Sequence, residues 1–235
     1  MEEKRTLKGS RWWGVLLFAI LILIDQVTKV VADVYFGNVP SAKDSIAIIP
    51  GVIELTMEYN RGIAFSMFSD IGKVGKIGIV AGTAVLMAVI AVVYFKLDKR
   101  RTWLRFALVL IVAGGVGNLI DRVFYQVWDP ATATGFRDGV RDMVRVDFKI
   151  VDFGVCNFAD FFISFGAVAF ILSLLFFDKD ALLPVGKKYK ALAAEAAAEE
   201  EAKKAAKESK EQQAQQEKQE QQLQQPTETA ENTNG

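Results

Sequence analysis

Apolar residues in this chain are gathered into four blocks rather than spread along it. The blocks cover residues 12–31, 74–95, 103–120 and 158–177. Each approaches the roughly 20 residues an α-helix needs to cross a hydrocarbon core. The pattern predicts four membrane-spanning helices, with connecting loops at 33–73 and 121–157 on one side. The first block follows Lys4, Arg5, Lys8 and Arg11, as the apolar run of a cleavable signal peptide would. That run ends at Ile24 in "DQVTK", without a small-x-small cleavage site, so the block reads as a retained helix.

Between the blocks the period changes. In "GVIELTMEYN" (51–60), Ile53, Leu55, Met57 and Tyr59 alternate with Glu54, Thr56 and Glu58. Alternation with period two marks a half-buried strand. Further strand is expected around "VRVDFKIVDF" (144–153). From Lys187 the composition turns to Ala, Glu, Lys and Gln. Such a segment cannot bury a core; it is expected to be a solvated tail, helical before Gln212 and disordered after it. The organisation is thus an N-terminus (1–11), a membrane domain (12–178) and a tail (179–235).

Formal net charge is zero, so nothing points to nucleic acid. The charges are segregated, however. Thirteen Lys and Arg flank the helix ends on the side of the termini and nine lie on the other side, with "KLDKRR" (96–101) the densest cluster. The positive-inside rule then puts both termini in the cytoplasm and loops 33–73 and 121–157 outside.

The absence of histidine removes Ser-His and Cys-His catalysis, HExxH sites and most zinc sites. The one cysteine, Cys156, lacks a histidine to activate it and reads as a small packing residue. What remains is the chemistry of carboxylates, amides, hydroxyls, Lys and Arg. The polar residues of the helices cluster at the outer ends. Asp25, Gln26, Thr28 and Lys29 close the first helix, and Asp25 and Lys29, four apart, share a face and can pair. Asn118 and Asp121 close the third, in "GGVGNLIDR" (114–122), and Asn157 and Asp160 open the fourth. Ionisable groups within membrane helices are costly and mark function by default. Three clusters at one depth point to a shared site, and Gly114, Gly115 and Gly117 would let backbones approach closely there. Two carboxylates in such a site share a proton: one can take a proton from water while the other polarises a carbonyl. The helix pattern alone pairs Asp160 with Asp121.

The segments "DQVTK" (25–29), "YNRGIAFSMF" (59–68), "GGVGNLIDR" (114–122) and "CNFADFFIS" (156–164) resemble, in order, the four signatures of lipoprotein signal peptidase (signal peptidase II). The resemblance covers about residues 12–178 and not the tail. It implies an all-α membrane protein: four transmembrane helices, a small extracytoplasmic β-cradle, a short surface helix and a cytoplasmic tail. The activity implied is that of a bacterial inner-membrane aspartyl endopeptidase. It removes signal peptides from prolipoproteins just before a diacylglyceryl-modified cysteine. The implied partners are those precursors and membrane lipids; the protein would act as a monomer, without nucleotide, metal or redox cofactor.

The resemblance also changes the catalytic pair. It implies Asp160 and a loop aspartate in a segment like V-V-D-F, best matched by Asp142 in "GVRDM" (139–143), where the second Val is Arg141. Asp147 is the alternative, ahead of Asp138 and Asp152. Asp25, Lys29, Asn60, Asn118, Asp121, Arg122 and Asn157 would support the pair or bind substrate. In that reading Arg122 holds Asp121, and Asp25 and Lys29 anchor the first helix at the surface or touch lipid headgroups.

Three other readings compete. An ion-coupled transporter would place its carboxylates near the midplane between repeats. A membrane scaffold would act through its tail. A Ser-Lys protease would need Ser66 within reach of Lys29.

Overall fold

The computed structural model describes residues 12–36, 45–61, 72–128, 138–148, 152–178 and 180–223. Four of its helices are long and apolar enough to cross a membrane: α1 (Trp12–Phe36), α2 (Lys73–Lys96), α3 (Thr102–Phe124) and α4 (Phe158–Leu172), which continues as a π-helical turn over Ser173–Phe177. The first and third outrun the predicted blocks, by five residues at Phe36 and four at Phe124. Asp121 and Arg122, expected to open a loop, are therefore helical. Polar side chains on the inner face of a helix do not end it when neighbouring elements supply their partners.

The α3 helix is the centre of the bundle and packs against α1, α2 and α4. It is buried over 61% of its apolar window, against 22% or less for the others, which leave most of their surface to lipid. Its lower half packs Leu108, Val109, Leu110 and Ala113 with Leu21 of α1 and Tyr94 of α2. Higher up, close approach replaces side-chain packing. A Cβ at Gly117 would lie 2.6 Å from Asp25 Oδ2 and 3.2 Å from Ala159 Cβ, and one at Gly114 would run into the Ala159 carbonyl. Glycine at these positions lets α1 and α4 reach the α3 backbone where the polar residues are.

Over that end lies an antiparallel sheet in the order β1-β2-β3-β4: β1 (Ile46–Ile49), β2 (Ile53–Asn60), β3 (Val140–Asp147) and β4 (Asp152–Cys156). The alternating Ile53, Leu55 and Met57 of β2 pack with Met143 and Val144 of β3 onto Ala32 and Phe36 of α1. The strand expected across 144–153 is instead parts of two antiparallel strands, and β3 starts at Val140, four residues earlier. The sequence between the two strands carries no Gly or Pro to mark the division. Gly139 takes φ +113, and a Cβ there would collide with the Asn60 carbonyl. Only glycine suits that backbone, so the start of β3 lies against the end of β2.

After the π-turn the chain folds back. The N–H groups of Leu182, Leu183 and Val185 donate to the carbonyls of Leu174, Leu175 and Phe176. The tail is a helix, α5 (Gly186–Leu223), past the expected limit at Gln212. Ala, Glu, Lys and Gln are strong helix formers, and the run is not broken before Leu223. The disorder expected near the C-terminus concerns residues outside those described from 224 on, and among the described residues no short surface helix lies between α1 and α4.

Candidate active site

The site is built at the first turn of α4. Asn157 is the N-cap: its Oδ1 accepts from Asp160 N (3.1 Å), and Asp160 Oδ2 accepts from Asn157 N (3.0 Å). This reciprocal capping box explains the Asn-x-x-Asp spacing by local chemistry alone. A further orphan donor of that turn, Ala159 N, is satisfied from outside the helix by Asp25 Oδ1 of α1 (2.9 Å).

Tertiary contacts then orient each amide. Lys29 has no exposed side-chain surface, and its Nζ lies 2.9 Å from Asp25 Oδ2 and 3.5 Å from Asp121 Oδ2. It also donates to Asn118 Oδ1 (3.0 Å). Because an ammonium can only donate, the Asn118 oxygen must face Lys29. The Asn118 Nδ2 is thereby turned to Asp160, donating to Oδ1 at 2.7 Å. Asn157 Nδ2 spends its two hydrogens on Asn118 Oδ1 (3.0 Å) and Asp142 Oδ1 (2.6 Å). Asn60, at the end of β2, donates to Asp142 Oδ2 (3.1 Å).

Asp142 and Asp160 thus face one site, bridged by Asn157. The Asp142 carboxyl is pushed up to about 7, first by burial and then by the neighbouring Asp160; hydrogen bonds from Asn157 and Asn60 and the charge of Lys29 oppose the rise. Asp147 is at the other end of β3, roughly 17 Å along the strand, and its backbone N–H donates to the Val52 carbonyl. Burial, followed by the charges of Asp160 and Asp142, raises the Cys156 thiol to about 12, and its Sγ donates to Val144 O. That is a packed thiol, not a nucleophile. Ser66 lies outside the described residues, whereas Lys29 is committed to Asp25, Asp121 and Asn118.

Two expectations need correction. Asp121, which the helix pattern alone paired with Asp160, is held by Arg141 through Nη2 (2.7 Å), Nε (3.2 Å) and its backbone N–H (2.9 Å). So tied, Asp121 is unavailable as the partner of Asp160. Arg122 interacts electrostatically with Asp160, Asp142 and Asp121. Asp25 and Lys29 are both fully buried, so neither touches lipid headgroups; their pairing within α1 is as the four-residue spacing predicts. The sequence placed Gln26 and Asp138 near the site but not their contacts. Gln26 links Asp25, the Gly117 carbonyl and Arg141. Asp138 takes the Val127 N–H and pairs with Arg61 and Lys76. An arginine directly before Asp142 was the available signal for the first network.

Apolar spanning helices that carry a hydrogen-bonded carboxylate pair at one end define a multi-pass membrane protein with carboxylate chemistry. A family profile described as signal peptidase (SPase) II matches residues 17–176. The lipoprotein signal peptidase of Fusobacterium nucleatum is 35% identical over 73% of this chain and 91% of that protein. That of Ectopseudomonas mendocina is 34% identical over 71% and 90%. A bacterial membrane enzyme solved by the in meso method at 1.9 Å shares the fold, with a TM-score of 0.53, 26% identity and coverage of 69% of this chain and 92% of that one. The chain belongs to the signal peptidase II family, and it is a protease of the bacterial multi-pass membrane class.

Proposed function

We propose that the chain is an aspartyl endopeptidase that removes signal peptides from prolipoproteins, cutting just before a diacylglyceryl-modified cysteine, with Asp142 and Asp160 as the catalytic pair. The observation that carries this reading is the bridge through Asn157, whose side-chain amide donates to the buried Asp142 carboxyl on β3 and whose backbone N–H donates to the Asp160 carboxyl at the start of α4. Asp160, in the first turn of α4, takes the role of base in this reading. Asp142, at about 7, holds its proton below neutral pH.

The reaction then balances. Asp160 takes a proton from water, the water oxygen bonds to the scissile carbonyl carbon, and Asp142 gives its proton to the carbonyl oxygen. On collapse, Asp160 passes its proton to the leaving nitrogen as the C–N bond breaks, and a hydroxyl of the intermediate returns one to Asp142. Asn60, Asn118 and Asn157 orient the pair, while Arg122 adds positive charge beside it.

In this reading residues 12–178 are the peptidase domain and 179–235 a cytoplasmic tail. Both termini face the cytoplasm, following the Lys and Arg excess at 96–101 and near the termini. The sheet and the carboxylates face the outer side. The substrate's apolar signal helix and acyl chains would enter sideways from the bilayer, into a monomer.

A membrane assay on a lipidated precursor tests the assignment. Asp142→Asn and Asp160→Asn should abolish cleavage with membrane insertion intact, and Asp147→Asn should retain it. Cleavage by Asp160→Asn would refute the mechanism.

A further inference from the structure

We propose that Arg141 is a positioning residue for the carboxylate pair: it clamps strand β3 to helix α3 through Asp121 and neutralises that carboxylate beside the site. The proposal rests on the reading of Asp142 and Asp160 as the catalytic pair.

Three observations carry it. First, Arg141 is 1% exposed and grips Asp121 three times, once through its own backbone N–H. A side chain from α3 thereby fixes the strand backbone at the residue preceding Asp142. The guanidinium is seated by Gln26 Oε1 (3.1 Å) and by the Tyr125 ring, 3.9 Å from its Cζ. Its position is therefore determined by α1, α3 and β3 together.

Second, the buried charges match. Lys29 pairs with Asp25 and lies 3.5 Å from Asp121, whose nearer cation is Arg141 at 2.7 Å. Two cations face two anions, all with at most 1% of the side chain exposed. Breaking one partner out of such a set leaves an uncompensated buried charge, which costs more than the pair contributes. Here that charge would be the Asp121 anion, left to Lys29, which Asp25 already engages, and to Arg122, which also faces Asp142 and Asp160; Lys29 and Asn118 link it to Asp160.

Third, an apolar residue could not fill this position: a valine could neither hold Asp121 nor neutralise it. If Arg141 only filled space, replacing it by Val would be harmless.

Among the described residues, charged and polar groups face the pair from several packed elements. Asp142 is met by Asp160 and Asn157 of the α4 turn, Asn60 of β2, Lys29 of α1, Arg122 of α3 and Cys156 of β4. Arg141 is met by Asp121 and Tyr125 of α3 and its C-terminus, and by Gln26 and Asp33 of α1.

The test is the pH–rate profile of precursor cleavage by the full-length membrane protein. Wild type is compared with Arg141→Val, Arg141→Gln, Arg141→Lys, the double variant Asp121→Asn/Arg141→Gln, and Asp142→Asn. Misplacement by an ångström costs about 10²-fold, so kcat should fall by about that factor in Arg141→Val and Arg141→Gln, with KM little changed. Their profiles should move to higher pH, because an uncompensated Asp121 anion opposes ionisation of the pair. Arg141→Lys should recover part of kcat and the wild-type profile, since it restores the charge but not the fork. The double variant should regain the wild-type profile while kcat stays low; it also carries the test if the single variants fold poorly. Wild-type rate and profile in Arg141→Val, with Asp142→Asn inactive, would overturn the proposal. So would a lower rate with an unmoved profile, which a purely structural role gives. An active Asp142→Asn would instead overturn the assignment of the pair itself.

Discussion

Asn157 caps a helix and joins two carboxylates, Asp142 through its side-chain amide and Asp160 through its backbone N–H. Its oxygen serves the cap and its two amide hydrogens serve Asn118 and Asp142. The roles can be separated, because serine is as good an N-cap but cannot donate twice at that reach. Asn157→Ser should therefore cost little thermal stability yet lower kcat by about 10²-fold. Equal losses of stability and activity would show that the cap alone matters. Asp142 allows a second test, on stability rather than rate. Its carboxyl is raised from 3.8 to about 7 in the folded protein, so between those values the folded state keeps a proton that the unfolded state releases. Its contribution is fully present below pH 3.8, falls as pH rises and is gone above about 7. Asp142→Asn escapes this loss. Its melting temperature relative to wild type should climb from pH 4 to pH 8, and a constant difference would contradict the shift.

At the scale of elements, glycines decide how close the helices come. A Cβ at Gly117 would press on Asp25 and Ala159, whereas one at Gly82 of α2 would meet nothing within 4 Å. Gly117→Ala should destabilise by about 1–3 kcal/mol through overpacking and reduce cleavage by displacing the Asp25 contact to α4. Gly82→Ala should be neutral or stabilising by up to about 1 kcal/mol. Thermal unfolding in detergent measures both. The glycine cluster in α3 was legible from the sequence, as were the four helices and the β2 strand, because each rests on a periodicity or a local spacing. The Asn157–Asp160 spacing was legible too, as part of the polar cluster rather than as a cap. The division of 144–153 between β3 and β4 was not, since the sequence between them carries no Gly or Pro. Nor was the pairing of Asp121 with Arg141, twenty residues on, because only the folded sheet brings β3 onto α3. Resemblance of "GVRDM" to a family segment supplied Asp142; helix geometry alone led to Asp121.

Across the whole molecule the match to the family stops at residue 176, and α5 begins at Gly186. The helix meets the hairpin between α2 and α3 at the end of the bundle away from the carboxylates. Arg100 pairs with Glu195 (3.4 Å) and Glu199 (3.6 Å), and Tyr189 packs edge-on to Phe177. The three charged side chains are 40–59% exposed, and surface ion pairs of this kind contribute little to stability. Most of α5 carries no apolar stripe, so it is a solvated rod held at its first turns. Removal of residues 191–235 keeps Tyr189 but deletes both glutamates. Cleavage by the shortened chain should stay within about twofold of wild type, the range expected of surface changes remote from a site. The core melting temperature should be unchanged. A shortened chain that inserts normally but no longer cleaves would mean that the tail recruits something the reaction needs, and the scaffold reading would then replace that of a self-sufficient peptidase domain.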